Sequence, residues 1–351
     1  MSKWSRLLRG ESNFDFVGNR RRYLTISAAL VLISLGSLAF RQLNLGIDFR
    51  GGVAIQAENP AGADVAEIRE AISTVVAADA KIQLVNGGEA VRIQTGFLEA
   101  DDEQRFVEAV AAVTGSSAAE VSLDAVGPTF GAIIARRALL ALVVFLAAVV
   151  LYMTWRLEWK MALAGLVALG HDLILTVGIY SMSGFEVTPA TVVAILTILG
   201  YSLYDTVVVF DKVDELVGER REEMTYTAIA NRAMNMVLMR SLNTSLTSLL
   251  PVGSLLFVGA LLLGAASLRD FALALFVGIA AGTYSSIFVA GPLLATWKEG
   301  EEEWTRRRRK LSAHAESTQT VPAAIVAEKP PPSIRPSVSG ATPRPPKRRR
   351  K

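Results

Sequence analysis

The 351-residue chain contains no cysteine, which excludes disulfide frameworks, Cys-ligated zinc, iron–sulfur clusters and thiol catalysis. Histidine is nearly as scarce: His171 and His314 are the only two, too few for a His-rich metal site. No Walker A phosphate loop, His-Glu-x-x-His helix or Gly-x-Ser-x-Gly elbow occurs, so no cofactor is expected and nucleotide-driven or hydrolytic chemistry would need another subunit. Charge is thin, at 20% of residues, against 51% hydrophobic residues and a mean hydropathy of +0.37. That balance does not suit one water-soluble core; it suits several membrane spans. The net charge of +3 comes from Lys and Arg at the chain ends and beside apolar runs, which is how a bilayer distributes them, so no specific nucleic acid is expected.

Six apolar stretches are long enough to span: 23–40, 133–153, 161–183, 188–210, 237–263 and 271–297. The first follows Arg20, Arg21 and Arg22 as in a signal peptide, but its apolar run is too long for a cleavable one and predicts a retained anchor. Six Lys/Arg precede the first span, and the loops 154–160 and 211–236 are basic, whereas 184–187 has no Lys or Arg. Both termini are therefore expected in the cytoplasm. Residues 41–137 then lie outside, with 8 Lys/Arg against 14 Asp/Glu.

The outer segment predicts strand 52–57, helix 64–76, strands 81–85 and 90–95, helix 101–113 and strand 120–126. Asn86-Gly87 signals a tight hairpin between the middle strands. The order βαββαβ is that of a ferredoxin-like domain. The expected fold is a polytopic α-helical membrane protein of six transmembrane helices with this small α+β domain between the first two. Its divisions are 1–22 (basic, cytoplasmic), 23–40 (first span), 41–132 (outer domain), 133–297 (five-span bundle) and 298–351. That last stretch, Pro-rich with basic ends, is expected to be disordered and to attract anionic lipid.

Polar residues inside the spans carry the functional signal. Asp205 lies deep in the fourth span, with Tyr201 at minus four and Ser202 at minus three on the same side. An ionised carboxylate there costs about 3 kcal/mol on insertion scales, so it must face protein or water, or carry a proton. In the fifth span Arg240, Asn243, Thr244, Thr247, Ser248 and Pro251 draw one polar stripe. In the third, Asp172, Thr176, Tyr180 and Ser183 make a thinner one, with Asp172 expected near an interface. In the sixth, Ala274, Gly278, Gly282, Ser286 and Ala290 repeat every four residues, which permits close helix contact. Arg240 is the natural counter-charge for Asp205, because a guanidinium keeps its charge. The pair is read either as a proton relay or as a static tie between two spans.

Several motifs coincide with these features. Leu45-Gly46-Ile47-Asp48-Phe49-Arg50-Gly51-Gly52 resembles the signature of the SecF family of the bacterial Sec translocon, within the resistance–nodulation–division superfamily. Gly127-Pro128-Thr129 resembles that family's Gly-Pro-Thr element. The stretch 200–211 around Asp205 resembles its fourth-span motif, and 240–246 its fifth. Tyr204 departs from the Asn of the family pattern, and the Pro-rich tail lies outside it. The resemblance implies a subunit of the bacterial inner membrane that pairs with SecD and uses the proton-motive force to promote preprotein translocation through SecYEG. YajC, YidC, unfolded preproteins and membrane lipids complete the implied partners. Asp205 and Arg240 align with the family's proton-handling carboxylate and arginine. The competing readings are a half-transporter of the same superfamily exporting lipids or small molecules, and a passive scaffold without proton flux.

Overall fold

The computed structural model describes residues 13–76, 80–262 and 266–319. The basic residues Lys3, Arg6 and Arg9 and the Pro-rich stretch 320–351 lie outside the described residues.

Among the described residues, six helices are long and apolar enough to cross a membrane. The first is α1 (Arg20–Arg41), which ends at Gln42 and leads through β1 (Asn44–Leu45) and the short α2 (Ile47–Arg50) into the outer domain. That domain runs β2 (Gly52–Glu58), α3 (Val65–Ile72), β3 (Lys81–Val85), β4 (Ala90–Thr95), α4 (Ala100–Thr114) and β5 (Ser122–Val126). The sheet order is β3-β4-β2-β5, every neighbouring pair antiparallel, which is the ferredoxin-like arrangement of the expected βαββαβ.

Strand period two divides the sheet into two faces. Val53, Ile55 and Ala57 of β2 and Val91 and Ile93 of β4 turn one face to the helices, where Ile68, Ile72, Phe106 and Val110 close the core. Arg92 and Gln94 point to the other face. α3 starts at a capping box: Asp64 accepts from the Glu67 backbone while Glu67 reaches back to the Asp64 N–H, satisfying two donors the helix start leaves free. The hairpin is looser than Asn86-Gly87 foretells. Four residues separate β3 from β4, and both Gly87 and Gly88 take positive φ, so the turn is a short 3₁₀ loop rather than a two-residue one.

From β5 the chain enters α5 (Pro128–Arg156), with Pro128 at the helix start where its missing N–H costs nothing. Then follow α6 (Trp159–Ser183), β6 (Glu186–Val187), α7 (Pro189–Arg220) and α8 (Tyr226–Ser254), the last continuing as a π-helix over Leu255–Leu262. α9 (Ala266–Ser285) passes through a π-helical turn, Ser286–Ala290, into α10 (Gly291–Glu299). α6, α7 and α9 form the interior of the bundle. α5 lies at the rim, presenting Leu139, Leu140, Val143 and Val144 outward, as a lipid-facing helix should.

The tail expected to be disordered from 298 begins as helix instead. α11 (Glu302–Gln319) places Trp304, 3% exposed, edge-on against Tyr226, and Arg307 pairs with Glu222. One aromatic anchor and ion pairs to residues far away in the sequence hold a segment whose composition alone reads as solvated. On the same side Phe16 and Val17 are buried, and the Phe14 and Phe16 N–H groups donate to Asn235 and Asn231 at 2.8 Å each.

Candidate functional site

Three carboxylates are buried in the spanning helices: Asp270 near the start of α9, and Asp172 and Asp205 on the adjacent helices α6 and α7. Asp172 of α6 is fully buried. Its Oδ2 accepts from Ser202 Oγ of α7 at 2.6 Å and from Ser285 Oγ of α9 at 2.7 Å, and its Oδ1 lies 3.0 Å from His171 Nδ1. Asp172, expected near an interface, stands mid-helix in α6 at the point where three helices meet. α7 and α9 approach closely because α9 offers glycines there. A Cβ on Gly278 would overlap Ile198, and one on Gly282 would stand 2.8 Å from Ser202 Cβ.

Asp205 of α7 is 7% exposed and differently served. Its Oδ1 accepts from Ser241 Oγ of α8 at 2.7 Å, while its buried Oδ2 has no hydrogen-bond partner. Ser286 stands beside the carboxyl group, and its hydroxyl lies 2.9 Å from that of Thr206. The anticipated Asp205–Arg240 ion pair is not formed. Arg240 Nη2 donates instead to the Tyr204 hydroxyl at 2.8 Å, with the guanidinium 6.0 Å from the Tyr204 ring centroid. Consecutive helix positions differ by about 100°. Ser241 therefore faces Asp205 while Arg240 turns outward to the residue before it. Tyr204, the departure from the family pattern, is what holds the arginine.

The same rotation reassigns the polar stripe of α8. Ser241 and Ser245 form the buried one, and Ser245 reaches Thr283 of α9 at 2.6 Å. Arg240, Asn243 and Thr247 are exposed and Thr244 is half-buried; the two threonines bond back to their own helix, Thr244 to the Arg240 carbonyl at 2.8 Å and Thr247 to that of Asn243 at 2.9 Å. Tyr201 keeps a buried hydroxyl without a partner. His171 has a buried Nε2 without one and stacks on Tyr284 at 6.2 Å between centroids. Sequence reasoning missed Ser241, Ser245 and Ser285. The only signal available was a second i, i+4 hydroxyl pair, one position along from the stripe that holds the arginine.

The glycine-rich signature and the Gly-Pro-Thr element form one joint at the foot of the outer domain. Gly51 has φ +77° and lies against the Pro128 backbone, where a Cβ would be 2.7 Å from Pro128 Cα. Gly52 has φ +138°, a conformation that side chains other than hydrogen rarely adopt. Gly127 caps α5 directly behind them. Gly46 donates its N–H to the Val187 carbonyl at 2.9 Å, beside the parallel pairing of β1 with β6. Asp48 lies in the first turn of α2 within this joint, and burial, then the nearby Glu186 and Asp124, push its carboxyl up from the ordinary value. Among the described residues no group of His, Asp and Glu has the arrangement of a metal site.

Residues 106–300 match the family described as protein export membrane protein SecD/SecF, C-terminal, and residues 36–58 match the SecD/SecF GG motif. The protein translocase subunit SecF of Streptomyces coelicolor is 43% identical over 311 residues, covering 88% of this chain and 83% of the relative. That of Mycobacterium tuberculosis is 40% identical over 320 residues, covering 88% and 72%. Among solved structures, the crystal structure of SecDF from Thermus thermophilus, a translocon-associated membrane protein, superposes with a TM-score of 0.75 at 33% identity. The match covers 83% of this chain but 39% of the SecDF chain.

Proposed function

This chain belongs to the SecF family of protein translocase subunits, and we propose that it converts the proton-motive force into preprotein movement by switching the charge of Asp205. The observation that carries this is the half-satisfied carboxyl: one oxygen bonded by Ser241, the other buried without a hydrogen bond of normal geometry, with the Ser286 hydroxyl beside the group. A protonated Asp205 tolerates that surrounding. An ionised one does not, because a buried charge without compensation is expensive. Arg240, held only by the neutral Tyr204 hydroxyl, is the counter-charge within reach. Loss of the proton then draws the guanidinium from Tyr204 toward Asp205 and pulls α8 against α7, and proton uptake releases it.

The same face supports a protein partner within the membrane. Arg240, Asn243 and Thr247 are exposed at membrane depth, where polar side chains need protein neighbours. SecD is the partner that covers them, and the SecYEG channel, YajC and YidC, with unfolded preproteins as cargo, complete the assembly. The seat is the bacterial inner membrane with both termini in the cytoplasm, and the basic run of α11 meets anionic lipid there. The subunit catalyses no bond cleavage. Asp205→Asn tests the reading in inverted vesicles that export a signal-bearing reporter with and without an uncoupler. The variant stays inserted and assembled but loses the uncoupler-sensitive component of export. Retention of that component would remove Asp205 from the mechanism.

A further inference from the structure

Asp172 and Asp205 stand on α6 and α7, and the turn that joins these helices is where the bundle touches the outer sheet. The turn contributes β6, whose Glu186 and Val187 pair in parallel with Asn44 and Leu45 of β1. Its polar contact with the four-stranded sheet runs through one side chain. Glu186, 8% exposed, accepts from Gln94 Nε2 at 2.7 Å and pairs with Arg92 Nη2 at 3.3 Å, both on β4. These are the residues that strand alternation turns away from the domain's own helices. The outer domain also joins α1 and α5 covalently, neither of which carries a buried carboxylate, and Phe49 of α2 shares an apolar cluster with Tyr180, Ala194, Ile198 and Ala274 of the bundle.

From Glu186 the path to the charge site is stiff. The Thr188–Thr191 capping box starts α7 immediately after β6, and the Thr191 hydroxyl also reaches the Glu186 carbonyl at 3.5 Å. Sixteen further residues of unbroken helix lead from Pro189 to Asp205, about 24 Å at the α-helical rise. A displacement of α7 at Asp205 therefore arrives at Glu186 rather than being absorbed in a loop.

We infer that Glu186 is a positioning residue through which movement of α7 reaches the outer domain, its ion pair with Arg92 coupling the membrane charge switch to that domain. The inference rests on the proton-driven reading of Asp205. The side chain touches no cargo and transfers no proton; it acts through β4.

The test measures two quantities in the same inverted vesicles, prepared from the full chain with its native partners: proton flux by a pH-sensitive dye, and uncoupler-sensitive export of the reporter. Glu186→Gln keeps the shape of the residue, an acceptor for Gln94 and the β1–β6 pairing, so the assembly remains; Arg92→Ala breaks the pair from the other side. Each lowers export per proton about tenfold, within the range of coupling between distant sites, while flux persists. The swap Glu186→Arg with Arg92→Glu restores export to within about threefold of the starting protein, which a merely structural contact would not require. Unchanged export in both single variants overturns the inference, as does equal loss of flux and export, or a swap that assembles without recovery. Asp205→Asn run alongside separates the two claims. If it loses flux and export while the Glu186 variants lose nothing, only the coupling role fails; if it retains both, the proton-driven reading fails.

Discussion

The surroundings of Asp172 and of Asp205 differ in one respect that decides what each can do. Around Asp172, hydroxyls from two other helices and an imidazole take up both oxygens, and no solvent reaches the group. Around Asp205 one oxygen is bonded and the other is not, and the nearest permanent charge is engaged elsewhere. A fully matched buried group holds elements in place, since any change leaves donors unpaired. A half-matched one can gain or lose a proton on its free oxygen without leaving a donor unpaired, which a switch requires. Sequence spacing ranks these two carboxylates only by depth; hydrogen-bond accounting separates them by role.

The contrast is broken most severely by forcing α9 from α7. Gly278→Leu or Gly282→Leu inserts a branched side chain where Ile198 or Ser202 already sits, and should cost about 3 kcal/mol. Thermal unfolding in mild detergent reads that loss directly. An unchanged melting temperature for both variants would mean that the two helices tolerate a wider gap than the Asp172 network allows.

Next in size is Asp172→Ala, which leaves the Ser202 and Ser285 hydroxyls without their acceptor and should cost about 2 kcal/mol of stability. Asp172→Asn keeps an acceptor and should lose only about 1 kcal/mol, with uncoupler-sensitive export preserved. If the Asn variant melts normally but exports nothing, Asp172 is a working carboxylate and the contrast with Asp205 collapses. The smallest effect is expected from Tyr204→Phe. It removes one hydrogen bond to an exposed arginine, so stability should move by less than about 1 kcal/mol and export by less than about threefold. A loss as deep as that of Asp205→Asn would show that the hydroxyl itself takes part in the switch.

Much of this molecule is legible without coordinates. Six apolar runs of spanning length, strand alternation in the outer segment and glycines at i, i+4 are local signals, and each element forms where its pattern stands. Helix ends are less legible: α7 continues to Arg220, well beyond its apolar stretch, because a helix leaving the membrane needs no hydrophobicity to persist. The ordered start of the tail was hidden for a different reason, since Trp304 has value only once Tyr226 stands opposite it.

The sequence by itself determined the number of spans, the ferredoxin-like order of the outer domain and the presence of carboxylates, an arginine and hydroxyls at membrane depth. Period and composition suffice for these, because each is a property of one segment against bilayer or water. Only the tertiary structure decided that Ser241 rather than Arg240 meets Asp205, that Tyr204 holds the arginine, that Asp172 is a three-helix tie, and that Glu186 grips β4. A rotation of about 100° separates adjacent helix positions, and spacing along one helix does not say which of two neighbours faces the next helix. That choice belongs to the packing of α7 and α8 against α9, where glycine and serine fix how near, and at what angle, the backbones come.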